Sequence, residues 1–474
     1  MKRIVLLLAS VASAVLFVLA AGVTTAPTAA QVSPSKPNFV FILADDMRKD
    51  DLKYMPKTRH TLMDEGMYFK KAFVSTAMCC PSRATILRGQ YTHNHGVWKN
   101  VSGPDGGWKA YRQNGNEQFN LATRLDKAGY RTALLGKYFN GYKDTRFTPP
   151  GWDKWFATFT FDYFDYNVND NGTIRHFGTA ESDYVTDVLR VETKQFIDTS
   201  VRQGDPFFAY VAPIAPHIPW TPAPRDKHTF DGAQAPRPPS FNEEDVGDKP
   251  PWIQSLQVLG PGAIDRLNSR YERRAETLQA LDDLVAGVVG KLKSSGALQN
   301  TYIVFTSDHG IHRGEHRIPA SKGRPYEEDI RVPLLVRGPN VAAGSTTDKL
   351  TLNTDFFPTF TNLAGLQRPD YVDGRSLRPV LEGSATTWRS AFLLEGRKNR
   401  EAGETPDFYG VRTSSGEKYI EYEGGARELY SLSTDPFELV NSYDVAARPE
   451  ELKTRLEALK GCDGAECRAA ENGP

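Results

Sequence analysis

The sequence predicts an α/β protein built on a mostly parallel β-sheet that is covered by helices on both faces. The main observation is that short apolar runs typical of buried strands alternate with longer segments of helical periodicity. A second observation is a change near Gly383, where shorter alternating runs separated by Gly and Ser turns begin. They predict a smaller C-terminal α+β domain with an antiparallel sheet.

The first half of the chain contains two predicted strands with a helix between them. Residues 38–43 form an apolar run that is followed by Asp45 and Asp46, which indicates a buried strand with carboxylates at its C-terminal end. Residues 120–128 place apolar side chains on one helical face, and a strand is predicted directly afterwards at 131–135.

The same alternation continues further along the chain. The next two pairs are helix 184–197 with strand 207–211, and helix 264–292 with strand 302–306. A proline-rich loop at 222–251 separates them and has the length of a binding or surface loop. The last strand again precedes an acid, Asp308. Because ligands bind beyond the carboxyl ends of the strands in such sheets, Asp45, Asp46 and Asp308 mark the expected place of a metal site.

The C-terminal segment is predicted to be an antiparallel meander followed by a helix. The predicted elements are strands at 409–412, 418–422 and 428–432 and a helix at 449–460. The pattern therefore divides the chain into an N-terminal targeting segment, 1–30, a main domain, 36–382, and a C-terminal α+β subdomain, 383–474.

The N-terminus has the pattern of a secretory signal peptide. Lys2 and Arg3 precede an apolar run over residues 4–23, and small residues follow as far as Ala30. These features predict cleavage after Ala30 and a secreted or extracytoplasmic protein with no later membrane contact. An uncleaved membrane anchor is the alternative, because a span requires roughly 20 apolar residues.

The charge balance excludes one class of function. Lys and Arg together number 58, as do Asp and Glu, so the formal net charge is zero. Nucleic-acid-binding proteins usually carry a clear basic excess, and we therefore expect no nucleic-acid partner. An anionic substrate would have to be held by a local cluster of positive groups.

The four cysteines form two pairs that differ in spacing. Cys462 and Cys467, near the end of a chain predicted to be secreted, indicate a local disulfide that closes a short loop. Adjacent cysteines such as Cys79 and Cys80 rarely bridge each other, because the geometry is strained. No Cys or His partners lie at zinc-finger spacing from them, so this second pair needs another explanation.

Residues 79–89 carry that explanation in the pattern Cys-x-Pro-Ser-Arg followed by Leu-x-Gly. The segment resembles the signature of the type I, formylglycine-dependent sulfatases, although Arg88 stands where Thr is common. The resemblance implies that a formylglycine-generating enzyme oxidises Cys79 to formylglycine, the nucleophile. It also implies an alkaline-phosphatase-like sandwich with a large mixed sheet between helices, and makes 36–382 the sulfatase catalytic domain.

The resemblance extends to a metal site. Asp45 and Asp46 match the family's paired acids after the first strand, Asp308 and His309 match its second metal segment, and the modified Cys79 is implied as a further ligand. Several carboxylates with a neutral donor suit a hard dication, and the implied ion is Ca²⁺. Because imidazole is softer than an amide oxygen, His309 leaves the identity of the metal open.

Four further residues match catalytic positions of the family. The resemblance assigns Lys137 and Lys322 to the sulfate, and Arg83 to the nucleophile. His217, in a Pro-His segment, is the implied acid. Position 139 is Phe where many members have His, which leaves the base of the last step open.

These residue types suit the hydrolysis of a sulfate ester. Because the substrate is anionic and its alcohol leaves poorly, positive groups must neutralise the sulfuryl oxygens. A hydrated aldehyde at residue 79 would supply the attacking oxygen, with Arg83 and the metal promoting its ionisation. His217 would protonate the departing alkoxide. Loss of the proton from the second hydroxyl of the hydrate would then expel sulfate.

Within the family, two segments resemble the N-acetylglucosamine-6-sulfatase branch: Cys-Cys-Pro-Ser-Arg at 79–83 and Tyr-x-His-Asn-His at 91–95. The run 330–339 and the terminal cysteine pair are similar as well. The implied substrate is a sulfated glycan or small sulfate ester, such as 6-sulfated N-acetylglucosamine in heparan or keratan sulfate.

Several alternatives stay open at the level of the sequence. A general arylsulfatase or a phosphoester hydrolase could share the fold, and a secreted glycan-binding protein could keep Cys79 unmodified. Four basic residues predict either a basic rim for an anionic sugar or scattered surface charge: Arg313, His316, Arg317 and Arg324. Sequons at Asn100 and Asn171 would matter only in a eukaryotic secretory pathway.

Overall fold

A computed structural model of the protein describes Met1 and residues 36–398, 405–445 and 449–473. Apart from Met1, the predicted signal segment 1–30 lies outside the described residues, so its cleavage stays a prediction. Among the residues described, none belongs to a helix with the length and apolar character of a membrane span.

The described strands form one ten-stranded, one two-stranded and one four-stranded sheet. The strands are β1 (Asn38–Ala44), β2 (Met67–Phe69), β3 (Ala72–Phe73), β4 (Arg131–Lys137), β5 (Lys154–Thr158), β6 (Tyr166–Asp170), β7 (Thr173–Phe177), β8 (Phe207–Ala212), β9 (Thr301–Ser307), β10 (Leu334–Arg337), β11 (Ser345–Thr347), β12 (Thr351–Leu352), β13 (Ala391–Gly396), β14 (Phe408–Thr413), β15 (Glu417–Tyr422) and β16 (Arg427–Ser431).

Helices of very different length connect these strands. They are α1 (Pro56–Thr58), α2 (Cys79–Arg88), α3 (Thr92–His95), α4 (Gly107–Gln113), α5 (Leu121–Asp126), α6 (Val185–Gln203), α7 (Pro251–Gln254), α8 (Pro261–Ser294), α9 (Glu327–Ile330), α10 (Phe356–Leu363), α11 (Arg378–Leu381), α12 (Pro449–Lys460) and α13 (Ala465–Ala470).

The large sheet is mixed, with a parallel centre. Its order is β11-β2-β10-β9-β1-β8-β4-β5-β6-β7, and the run from β9 to β5 is parallel throughout. Strand β10 on one side and strands β6 and β7 on the other are antiparallel to their inner neighbours. The predicted mostly parallel α/β fold is therefore confirmed, and its outer strands make it a mixed sheet.

Helices cover both faces of this sheet because alternate side chains of the central strands point in opposite directions. Phe39 and Phe41 of β1 belong to one core, shared with α2, α5 and α10. Val40 and Ile42 belong to the other, shared with α6 and α8. All seven residues of β1 are buried, as expected for a central strand covered on both sides.

The C-terminal segment contains the predicted antiparallel sheet, in the order β13-β14-β15-β16. Helix α12 has the predicted bounds and packs against β13 and β14. The predicted disulfide between Cys462 and Cys467 is present, with a Cα–Cα distance of 4.8 Å. The division of the chain at residue 383 stays a prediction.

Candidate active site

The acidic residues predicted from the sequence meet at the carboxyl ends of two neighbouring strands. Ala44 of β1 pairs in register with Ser307 of β9, so the residues that follow each strand lie side by side. The amide of Asp46 donates to the Oδ1 atom of Asp308 at 3.1 Å. Asp45 and Asp308 are fully buried. The expected cluster of three carboxylates is present at this edge of the sheet.

Cys79 lies against this cluster as the first residue of α2, and it is fully buried. Its Sγ atom is 3.7 Å from Oδ1 of Asp45 and 3.3 Å from Nε2 of His309. The amide of the next residue, Cys80, donates to Oδ1 of Asn100 at 2.8 Å, which fixes the start of the helix. The helix therefore directs the first residue of the Cys-Cys pair toward the acids.

Arg83 lies one helical turn further along α2 and connects three parts of the site. Its Nε atom donates to Oδ2 of Asp308 at 3.0 Å, and its Nη1 atom donates to the main-chain oxygen of Lys137 at 2.9 Å. Its Nη2 atom is 3.6 Å from Oδ2 of Asp45. Since only 1% of its side chain is exposed, Arg83 is a fixed positive charge beneath the carboxylates.

Two lysines bring further positive charge to the cluster. Lys137, the last residue of β4, donates from Nζ to Oδ2 of Asp45. Lys322, in the segment between β9 and α9, donates to Oδ1 of Asp46 at 2.8 Å and to Sγ of Cys79 at 3.1 Å. Both residues predicted from the sequence therefore reach the group around Cys79.

His217 follows β8 and closes another side of the site. Its Nε2 atom is 3.8 Å from Oδ2 of Asp46, and only 8% of the residue is exposed. Its Nδ1 atom lies 2.7 Å from the main-chain oxygen of Ile218. Because a carbonyl oxygen only accepts, Nδ1 must carry a proton and Nε2 is left to face the site.

Burial and charge act in opposite directions on the ionisable groups. Burial raises the pKa of Asp45, but Lys137, His217 and Arg83 outweigh it and hold that pKa well below the usual value. Burial lowers the pKa of His217, and the two neighbouring carboxylates offset this only in part. Burial raises the pKa of the Cys79 thiol to about 12. Because the thiolate is the nucleophilic form, an unmodified Cys79 is a weak nucleophile at neutral pH.

The donor set fits a hard divalent cation. Ligand atoms of Asp45, Cys79, Asp308 and His309 all lie within 4.8 Å of one another, and so do those of a second group made of Asp45, Asp46, Cys79 and His217. The three carboxylates concentrate negative charge on buried oxygen donors, which Ca²⁺ prefers. His309 is placed to join them, since its Nε2 atom is 3.2 Å from Oδ1 of Asp46.

Two residues of the site were not predicted from the sequence. Arg274 of α8 is buried and donates to the main-chain oxygen of Asp46 at 2.6 Å. Asn100, one of the two sequon residues, is 97% buried, and its Oδ1 atom accepts a hydrogen bond from the amide of Cys80. It therefore cannot carry a glycan in the folded protein. The sequence did contain a signal for Arg274, because this charged residue falls on the apolar stripe of its helix. For Asn100 it contained no signal beyond the sequon.

The predicted basic rim is wrong for three of its four residues. Arg313 is buried and donates from Nη2 to Oδ2 of Asp51 at 2.5 Å. His316 is fully buried, with its Nδ1 atom 2.6 Å from Oε2 of Glu243, and Arg324 is buried as well. They form neither a rim nor scattered surface charge. Arg313 and His316 turn inward onto acidic partners that are distant in sequence, whereas Arg324 donates to Oγ of Ser321 and to the main-chain oxygen of Lys322.

Position 139 supplies no base to the site. The Phe139 ring is buried and stacks on Tyr111, with ring centroids 4.4 Å apart. The ring belongs to an aromatic cluster with Tyr111 and Tyr138. The only other imidazole at Cys79 in the described residues, besides His217, is that of His309.

Comparisons with known proteins agree with this geometry. The sulfatase family model matches residues 37–366, and the model for the C-terminal part of N-sulphoglucosamine sulphohydrolase matches residues 314–461. The N-acetylglucosamine-6-sulfatase of Homo sapiens is 34% identical over 478 residues, covering 91% of this chain and 86% of that protein. An arylsulfatase of Volvox carteri is 32% identical and covers 92% of this chain and 76% of its own length.

The chain is shorter than some of its relatives. The extracellular sulfatase SULF-1 homolog of Drosophila melanogaster is 36% identical over 382 residues, which are 78% of this chain and 34% of that protein. The chain therefore spans about a third of that relative's length.

Solved structures share the fold over nearly the whole chain. A protein solved in complex with its substrate D-glucosamine-2-N,6-O-disulfate has a TM-score of 0.77 at 24% identity, covering 92% of this chain and 99% of that one. The phosphonate monoester hydrolase of Agrobacterium radiobacter has a TM-score of 0.69 at 22% identity, covering 92% of this chain and 96% of that one. From the family models and the relatives matched over most of their length, the chain belongs to the sulfatase family and is a sulfuric ester hydrolase.

Proposed function

We propose that the protein hydrolyses sulfate esters of carbohydrates with a formylglycine made from Cys79 and a bound calcium ion. The observation that carries this proposal is the convergence on Sγ of Cys79. Lys322 lies at 3.1 Å, His309 at 3.3 Å and Asp45 at 3.7 Å from it. A buried cysteine that forms no disulfide and is surrounded by acids and lysines has no evident structural purpose.

Calcium and formylglycine would both act at this point. Calcium would be held by Asp45, Asp46, Asp308 and His309, and it would add positive charge next to the sulfuryl oxygens. Formylglycine at residue 79 would provide, as its hydrate, the oxygen nucleophile that a thiol with a raised pKa does not provide.

The side chains of the protein bind and orient the sulfate group. The ammonium group of Lys137 contacts Asp45 and that of Lys322 contacts Sγ of Cys79, and both are available to sulfuryl oxygens as hydrogen-bond donors. Arg83 holds Asp308 and the end of β4 in place from below. Such preorganised positive charge favours the build-up of negative charge in the transition state.

His217 is the proposed acid for the departing alcohol. Its Nδ1 atom is engaged by the carbonyl of Ile218, which orients the ring. Its Nε2 atom points toward Asp46, and in the protonated ring it carries the proton that can pass to the leaving oxygen.

The proposed substrate class is 6-sulfated N-acetylglucosamine in a sulfated glycan. Support comes from relatives named N-acetylglucosamine-6-sulfatase, which match 91% of this chain. Relatives named extracellular sulfatase support a secreted or extracytoplasmic protein, which would meet a formylglycine-generating enzyme during maturation. Relatives named arylsulfatase favour aryl sulfates as a second candidate.

The test begins with the tryptic peptide 72–83 of the secreted protein. A carbonyl-specific reagent read by mass spectrometry should label residue 79, and the same protein should release sulfate from 6-sulfated N-acetylglucosamine faster than from an aryl sulfate. A plain thiol at residue 79, in protein from a host able to modify it, would refute the proposed formylglycine nucleophile. Faster hydrolysis of the aryl ester would instead leave the nucleophile intact and overturn the substrate class.

A further inference from the structure

A cleft of about 490 Å³ opens beside the catalytic residues, and apart from Lys137 and Ile218 its lining has no role in the chemistry described above. It lies at the carboxyl ends of β4 and β5, and its lining includes Lys137 and Ile218. Because Lys137 also contacts Asp45, the cleft is continuous with the site that would hold the sulfate. Its volume falls within the ~300–1,000 Å³ typical of small-ligand sites.

Phe161 forms an aromatic wall of this cleft next to the reacting groups. Its ring centroid is 4.9 Å from that of His217 and 4.6 Å from Nζ of Lys137. The residue is half-buried, so part of the ring is open to the cleft. A flat apolar face beside the proposed acid is suited to the alcohol part of the substrate, because that part becomes the leaving group at His217.

The outer part of the cleft carries two exposed charges of opposite sign. Lys143 and Asp162 both line it, and within the described residues neither forms an ion pair or a hydrogen bond with another side chain. A carboxylate accepts hydrogen bonds from ring hydroxyls, and an ammonium group attracts a second anionic substituent. An apolar face with flanking polar groups is the composition that a sugar ring requires.

We propose that this cleft receives the pyranose ring that carries the scissile sulfate. One face of the ring stacks on Phe161, with its C–H bonds toward the negative face of the aromatic ring. Where the sugar carries a second sulfate group, Lys143 binds that group. The proposal rests on the proposed function and deepens it, since it assigns the substrate preference to residues outside the catalytic set.

The first test replaces the aromatic face without emptying the cleft. Phe161→Leu should raise the KM for 6-sulfated N-acetylglucosamine about 10-fold, which corresponds to about 1.4 kcal/mol. Phe161→Tyr should recover most of that loss, because the ring is restored. The inhibition constant of inorganic sulfate should move less than about twofold in both variants, since sulfate occupies only the charged end of the site. Phe164→Leu is the matched control, because Phe164 is half-buried on the same segment but packs on Tyr184.

The second test addresses the charge at the rim. In Lys143→Met, the ratio of kcat/KM for the 2-N,6-O-disulfated sugar to that for the 6-O-sulfated sugar should fall about 10-fold relative to the wild type. Lys127→Met is the control, since Lys127 is exposed and precedes β4 at the opposite end of that strand.

The outcomes separate this inference from the function on which it rests. If sulfated sugars are hydrolysed and Phe161→Leu behaves like Phe164→Leu, the cleft is not the sugar subsite. If the inhibition constant of sulfate weakens as much as the KM, Phe161 acts on Lys137 instead of on the sugar, and the proposal also fails. If the wild type carries the carbonyl but hydrolyses no sulfate ester, the proposed function itself is wrong.

Discussion

The guanidinium group of Arg274 donates a hydrogen bond to the main-chain oxygen of Asp46 at 2.6 Å. The same side chain donates to the main-chain oxygen of Pro216 at 2.8 Å. Arg274 therefore connects the loop after β1, which contributes carboxylates, with the loop after β8, which contributes His217. Helix α8 thus positions two halves of the site that are about 170 residues apart in the chain.

Replacing Arg274 should slow the chemistry more than it weakens binding. In Arg274→Met, the two buried carbonyl oxygens lose their donor, so Asp46 and His217 are held less firmly relative to each other. We expect kcat to fall about 10- to 100-fold, since small misplacements of catalytic groups have effects of that size. Arg274→Lys should recover part of the loss. Steady-state kinetics over a range of pH would measure the change in kcat, and melting temperatures would show whether each variant is folded.

The neighbouring Arg273 provides the control, because it is exposed on the same helical turn. Arg273→Met should keep kcat within about twofold of the wild type. A kcat for Arg274→Met that matches the control, in protein that melts normally, would remove Arg274 from any positioning role. A change in the alkaline limb of the pH profile, where a general acid loses its proton, would support its action through His217.

Arg274 also shows what was available from the sequence. It falls on a stripe of buried residues spaced three and four apart, which also contains Leu267, Tyr271, Leu278 and Leu281. A charged residue on such a stripe must be paired in the folded protein. Its hydrogen-bond acceptors, however, are main-chain oxygens on loops distant in sequence, and no local pattern could identify them.

Other parts of the fold differed in how much local signal they carried. The central strands were predictable because their apolar runs are continuous and buried on both sides. Helix α2 was not, because all ten of its residues are buried and no amphipathic pattern remains. Phe161 lies in an irregular segment between β5 and β6, and its role depends on its distance to His217, which only the tertiary structure provides.

Calcium should stabilise the folded protein through the carboxylate cluster. The folded site brings Asp45 and Asp308 together, whereas the unfolded chain does not, so the ion binds the native state preferentially. We expect millimolar calcium to raise the melting temperature of the wild type and a chelator to reverse the effect. Asp308→Asn should reduce the shift strongly.

A second acidic group offers a control for nonspecific binding. Asp231, Glu272 and Glu276 also bring ligand atoms within 4.8 Å of one another, but Asp231 is exposed. Asp231→Asn should keep the full calcium shift. If Asp231→Asn reduces the shift and Asp308→Asn does not, the calcium lies at the surface cluster and the assignment is wrong.

His309 can be tested separately as a metal ligand. His309→Asn replaces the imidazole with an amide oxygen, which is a harder donor and suits calcium. We expect this variant to keep the calcium-dependent rise in melting temperature and His309→Ala to weaken it. The calcium concentration that gives half of the shift is the measured quantity.

The catalytic rate of the same pair gives a second result. If His309 is only a metal ligand, the kcat of the Asn variant should stay within about 10-fold of the wild-type value. It should also be higher than the kcat of the Ala variant. Suppose instead that kcat falls equally in both variants while the Asn variant still binds calcium. The lost step would then be a proton transfer, and His309 would act as a base.

His93 should make the stability of the protein depend on pH. Its Nδ1 atom is 2.9 Å from Oε2 of Glu395, and its Nε2 atom is 3.0 Å from the main-chain oxygen of Cys462. Both nitrogens face acceptors, so the ring is protonated in this arrangement. Burial lowers the pKa of His93, but Glu395 outweighs it, and the pKa is raised from 6.5 to about 9.

The sign of the effect follows from the raised pKa. The folded state holds the proton more tightly than the unfolded state, so the stabilisation is complete below about pH 6.5 and is lost as the pH rises through about 9. We expect the melting temperature of the wild type to exceed that of His93→Gln by about 2 °C or more at pH 6. The two values should converge by pH 9.5. His60→Gln is the control, because His60 is exposed and its contact with Asp64, at 3.5 Å, is solvated. A constant difference between wild type and His93→Gln across this range would show that the pair contributes through packing and not through charge.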